Sequence, residues 1–104
     1  MEIIEIKGDP HGGNLQVRTP GQYAMKLAVQ VLEFLDEQPE ITVKKTGWQR
    51  GFGLEVCAWI PITMGTLIAE LETDGIEFQI RKASGSLRDF EVFFELVKEF
   101  LSKK

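Results

Sequence analysis

The sequence predicts an α+β fold, a single antiparallel sheet of about five strands with two helices on one face. Three observations lead there. Leu54, Val56, Ala58, Ile60 and Ile62 recur at period two, the pattern of a half-buried strand. Thr19-Pro20 and Ser86 each open a segment whose apolar residues return at helical spacing. The remaining strand-like runs are joined by short connections, and short connections make neighbouring strands antiparallel.

The first strand is expected over Glu2 to Lys7, with Ile4 and Ile6 on one face. Gly8-Asp9-Pro10-His11-Gly12-Gly13-Asn14 is a run of turn formers and reads as a loop. Leu15-Gln16-Val17-Arg18 reads either as an extension of that loop or as a strand returning from it. Thr19 as N-cap and Pro20 at the first helical position start a helix that runs to about Asp36. It stops there because Pro39 disfavours helical geometry at Gln38.

Glu40 to Thr46 alternates, with Ile41 and Val43 inward, and Gly47 to Gly53 connects it to the central strand, Leu54 to Ile62. After Pro61 two readings compete. Met64, Leu67, Ile68 and Leu71 have helical spacing, whereas Thr73-Asp74-Gly75-Ile76 is a two-residue hairpin signal. Folding about Asp74-Gly75 sets Leu71 opposite Phe78, Ala69 opposite Ile80 and Glu70 opposite Gln79. Matched faces on both arms favour the hairpin. Ser86 with Asp89 resembles a capping box, and Leu87, Phe90, Phe93, Phe94, Val97, Phe100 and Leu101 mark a last helix to about Leu101.

The resulting order is strand, helix, four strands, helix. It is similar to TATA-binding-protein-like folds, in which a curved sheet is covered by two helices. That resemblance lies in predicted element order over the whole chain, and it implies a fold and no activity. A cystatin-like sheet wrapped on the first helix is the alternative architecture.

At 104 residues the chain is expected to form one domain, with enough core to need no disulfide or metal. Met1-Glu2-Ile3-Ile4-Glu5 has no basic segment followed by an apolar run, so no signal peptide is expected. No stretch approaches the ~18 apolar residues of a membrane span. A cytoplasmic protein is therefore expected. The formal charge is −4, which argues against a nucleic-acid module because phosphate binding draws on basic patches.

Chemistry-bearing patterns are few. His11 and Cys57 make no ligand pair at helical or knuckle spacing, so no metal is expected. The same two residues could pair as an activated thiolate, but a mid-strand cysteine is ordinarily a small packed thiol. The loop with Asp9 and His11 has no phosphate-binding fingerprint, although its backbone N–H groups and imidazole could meet a ligand. Trp48, Arg50 and Phe52 beside Lys44 and Lys45 could form a protein-recognition tip, stack on single-stranded bases, or fold over the sheet edge as a satellite core.

The open sheet face is expected to carry Ile3, Cys57, Trp59 and Ile68 as an apolar island among more carboxylates than cations. Both helices have apolar arcs broader than one sheet contact requires. The surplus could line a cavity, meet another subunit, or be consumed between the helices. The expectation is a non-enzymatic interaction protein without cofactor, acting through a homodimer or a protein partner. Trp59, Cys57 and Ile68 would anchor one surface, and Trp48, Arg50 and Phe52 another. The alternative is a small-molecule-binding domain with an apolar pocket between helices and sheet and a polar entrance from Tyr23, His11 or Arg18, with Asp9, His11 and Arg18 as the ligand-loop candidates.

Overall fold

Period-two alternation assigns one face of each strand to the interior, and strand pairing brings those faces into register. The computed structural model describes residues 5–19, 23–44, 57–73 and 77–103, apart from the side chains of 57–59. Its elements are β1 (Glu5–Asp9), β2 (Asn14–Arg18), α1 (Tyr23–Asp36), β3 (Ile41–Val43), β4 (Cys57–Met64), β5 (Leu67–Thr73), β6 (Glu77–Ser84) and α2 (Leu87–Ser102). They build one six-stranded sheet in the order β1-β2-β6-β5-β4-β3, antiparallel throughout.

The interior is organised in rows across the strands. Leu15 pairs with Ile80, Ile80 with Leu71, and Leu71 with Ile60, and all four are fully buried. A parallel row runs through Ala69, Ile62 and Val43. Leu27, Ala28, Val31, Leu32 and Leu35 of α1 and Phe90, Phe93, Phe94, Val97 and Leu101 of α2 join the same cluster. Burying each large side chain stabilises the fold by about 1.5–3 kcal/mol.

The α+β class and the element order follow the expectation, with one strand more than the five anticipated. Leu15 to Arg18 is that strand, β2, placed between β1 and β6. The first strand also reaches further than expected, through Gly8 to Asp9. Gly8 sits opposite Leu15, where a Cβ would come within 2.4 Å of the Asn14 carbonyl oxygen. Its glycine therefore serves close backbone approach within the strand.

The hairpin reading is correct for residues 67–84, but its register lies two residues from the one expected. Leu71 faces Ile80 and Thr73 faces Phe78. A two-residue slip keeps every side chain on its own face, so alternation cannot choose between these registers. The choice is made by packing on both sides of β6, where Phe78 meets Val17 and Ile80 meets Leu15. Asp74, Gly75 and Ile76 lie outside the described residues.

The strand carrying Ile60 and Ile62 is not central. It is β4, second from the edge, and it continues past Pro61 to Met64. The Lys44 N–H donates to the Pro61 carbonyl at 3.0 Å, but Pro61 has no N–H to return. This one-bonded step follows β3, which is only three residues long, shorter than the Glu40 to Thr46 expected.

Both helices end where the sequence indicates. Past Asp36 the Gln38 side-chain amide donates to the Phe34 carbonyl at 3.0 Å. Ser86 caps α2, accepting the Asp89 N–H at 3.1 Å. Pro20, at the expected start of α1, lies outside the described residues.

Two isoleucines check which face of the sheet is buried. Ile80→Ala is expected to lower the urea-derived unfolding free energy by about 2–5 kcal/mol, because it opens a cavity in a filled row. Ile68, 41% exposed on the other face, should change it by less than about 0.5 kcal/mol on the same substitution.

Candidate functional site

The Asp9 to Gly13 turn uses its polar groups internally. Asp9 Oδ1 accepts the His11 N–H at 2.9 Å, and the Asp9 carbonyl accepts the Gly12 N–H at 3.0 Å. The Gly13 carbonyl accepts the Lys82 N–H at 2.8 Å, which ties the turn to β6. The Asp9 carboxylate thus closes an Asx turn. Arg18 stands at the opposite end of β2, four residues from Asn14 and so about 13 Å away. There its Nη2 lies 3.3 Å from Glu77 Oε2. Asp9, His11 and Arg18 therefore do not converge on one ligand, and Tyr23 packs against the core.

The proposed apolar island is also drawn apart. Ile68 pairs with Thr63 on one side and Ser84 on the other. Cys57 pairs with Thr73, five residues further along β5, or roughly 17 Å. The register shifts between Cys57 and Ile60, so the alternation that assigned Cys57 and Trp59 to the open face is interrupted there. Their side chains, with Ile3, Trp48, Arg50 and Phe52, lie outside the described residues.

What the open face does present is a lattice of polar side chains. Successive strands contribute Glu5, Lys7 and Asp9, then Asn14, Gln16 and Arg18, then Glu77, Gln79 and Arg81, then Ile68, Glu70 and Glu72. Arg18 is paired with Glu77, and Arg81 Nη2 lies 2.6 Å from Glu72 Oε1. Lys7 Nζ reaches Glu5 Oε1 at 3.1 Å. Such exposed pairs each contribute at most about 1 kcal/mol to stability, so their main effect is to hold side chains in place. A depression of about 50 Å³ lies among Glu5, Lys7, Gln16, Arg18 and Glu77.

The surplus apolar arcs meet each other. Phe34 of α1 stacks on Phe100 of α2, with ring centroids 4.3 Å apart and planes 19° from parallel. Such a pair contributes about 0.5–1.5 kcal/mol beyond its buried area. Tyr23, Leu96 and Phe100 pack, partly buried, against the core. On the outer side of α2, Val92 is 58% exposed beside Arg88, Glu91 and Glu95.

Asp89 is the one described carboxylate whose acidity is clearly shifted. Its Oδ2 accepts the Thr66 hydroxyl at 2.7 Å and the Thr66 N–H at 3.0 Å. The Thr66 hydroxyl oxygen in turn accepts the Ser86 N–H at 3.2 Å. Gly85 lies against this knot so closely that a Cβ there would fall 2.0 Å from the Thr66 carbonyl oxygen. The sequence shows the Ser86–Asp89 cap, but Thr66 carries no local signal because the contact spans 23 residues. This group fastens the β4–β5 turn to the start of α2, which is a structural task.

The hydrogen bonds from Thr66 hold the Asp89 carboxyl below its ordinary value of 3.8, with Ser86 and Arg88 adding to the effect. A lowered folded-state value stabilises the fold above the unfolded value, and the gain is lost as pH falls through the folded one. Asp89→Asn is therefore expected to have a lower Tm than wild type at pH 7. The gap should narrow as the pH falls below about 3.8, measured by thermal melts across pH. Ser86→Ala should cost about 1 kcal/mol at any pH in the same series.

Among the described residues, no three His, Cys, Asp or Glu side chains are grouped to hold a metal ion, and no helix is long and apolar enough to cross a membrane. Compared with protein families, with characterised proteins and with solved structures, the chain matches none.

Proposed function

We propose that this chain is a small non-enzymatic interaction protein whose open sheet face receives a protein partner. The observation that carries this reading is the face that neither described helix covers, lined by Arg18–Glu77 and Arg81–Glu72 pairs. Immobilising a long side chain on binding costs about 0.5–1.5 kcal/mol. Side chains already held by ion pairs have lost part of that freedom before a partner arrives. The depression on this face, about 50 Å³, is small against the ~300–1,000 Å³ of small-molecule sites. A flat partner surface suits it better.

Charge selects the partner class further. Glu5, Asp9, Glu70, Glu72 and Glu77 outnumber Lys7, Arg18 and Arg81 on the described face. That balance repels a phosphate backbone and favours a polar protein surface with basic groups. The use of Asp9 to close its own turn supports the non-enzymatic part of the reading. The same reading places the protein in the cytoplasm, where the lone Cys57 stays reduced.

The test exchanges one ion pair at the centre of the face. Glu72→Arg with Arg81→Glu keeps the pair and should leave Tm within about 2 °C of wild type, but it inverts both charges a partner meets. Wild type and the exchanged protein, immobilised in parallel, are compared for the proteins they retain from a cell extract. A discrete protein held by wild type and depleted at least tenfold on the variant supports the reading. Equal retention by both, or nothing retained above a blank surface, overturns it.

A further inference from the structure

Among the described strands β1 ends the sheet, with β2 on one side and no described strand on the other. Which β1 groups point outward follows from the ladder. The Lys82 N–H bonds the Gly13 carbonyl in the same register that pairs Asn14 with Arg81. Hydrogen-bonded pairs alternate along an antiparallel ladder, so Leu15 and Val17 bond toward β6. Asn14, Gln16 and Arg18 then bond toward β1, where they face Asp9, Lys7 and Glu5. This leaves the N–H and C=O of Ile6 and Gly8 directed at the outer edge.

We infer that two copies of this chain pair antiparallel through their β1 edges, centred on Ile6, to make a continuous sheet. The backbone parity allows only registers that set Ile6 or Gly8 against an even-numbered residue of the second copy. Centred on Ile6, Glu5 faces Lys7 of the second copy and Lys7 faces its Glu5. Moving the centre to Lys7 opposes two lysines and sets Glu5 against Asp9. Moving it to Glu5 opposes two glutamates. Moving it to Gly8 sets Ile6 against Pro10, which has no N–H and lies in the turn. Like charges directly opposite each other destabilise a strand pair, and unlike charges stabilise it by about 0.2–1 kcal/mol.

The chosen register also extends what the sheet already has on both faces. On the open face, Glu77, Arg18 and Glu5 alternate in sign across β6, β2 and β1. Lys7 of the second copy continues that alternation. On the inner face Ile6, partly buried against the core, gains the second Ile6 as its neighbour. A lysine on an edge strand discourages indiscriminate pairing. Of the registers that keep Pro10 out of the ladder, this is the one that answers Lys7 with a carboxylate, so Lys7 selects the partner.

The open-face reading is carried by the Arg18–Glu77 and Arg81–Glu72 pairs and this inference by the outward backbone groups and charge register of β1, so each can fail without the other. Light scattering at low ionic strength across a concentration series provides the test. Wild-type mass should rise from 11.8 kDa toward twice that value. Lys7→Glu and Glu5→Lys should each remain at the monomer mass, because each sets like charges opposite one another. An equimolar mixture of the two variants should recover the doubled mass, since every cross-strand pair is again unlike in charge. Melting curves establish that each variant is folded, and recovery in the mixture shows it directly. A wild-type protein that stays monomeric, a single variant that still doubles its mass, or a mixture that does not recover overturns the inference.

Discussion

The row Leu15, Ile80, Leu71 and Ile60 crosses four neighbouring strands at full burial, and the rest of the molecule is arranged to keep it covered. Each of these strands exposes the residues that flank the row to the opposite face. A one-residue slip in any strand would therefore trade an apolar side chain for a polar one beneath the helices. The register irregularities fall outside the row, between Cys57 and Ile60 and between Ile68 and Ala69. The row tolerates none within it because every position has a buried neighbour on the next strand.

Covering the row requires two helices whose apolar arcs exceed one sheet contact. The excess is absorbed in the Phe34–Phe100 stack where they meet and in Tyr23 and Leu96, which pack partly buried against the core. The position of α2 along the sheet is set at its first turn, where Ser86 and Asp89 engage Thr66 of the β4–β5 turn. These exposed hydrogen bonds are individually weak beside the burial of Phe90 and Phe93. Their contribution is directional, since they fix where the helix begins relative to the strands it covers.

Placing all apolar coverage on one side leaves the other side to polar side chains. There the pairs Arg18–Glu77 and Arg81–Glu72 match charge laterally between neighbouring strands. The edge at β1 is a different kind of surface: in the proposed self-pairing, backbone groups supply the affinity and the Glu5 and Lys7 charges the selectivity. In the two readings proposed above, a single one-sided sheet offers two surfaces with separate chemistry.

The α+β class, the one-sided alternation, the ends of both helices, the Ser86–Asp89 cap and the β5–β6 hairpin were legible in the sequence. Each depends on contacts between residues near in the chain or on a period that a local pattern reveals. Tertiary structure alone decided that Leu15 to Arg18 is a strand, that β6 and β5 are central, and that Thr73 faces Phe78. It also decided that Asp9 and His11 stand at one end of β2 and Arg18 at the other. These outcomes turn on which strand lies beside which and at what offset. A two-residue slip conserves every face, so hydrophobic patterning is blind to it, and only simultaneous packing of β6 against β2 and β5 removes the ambiguity.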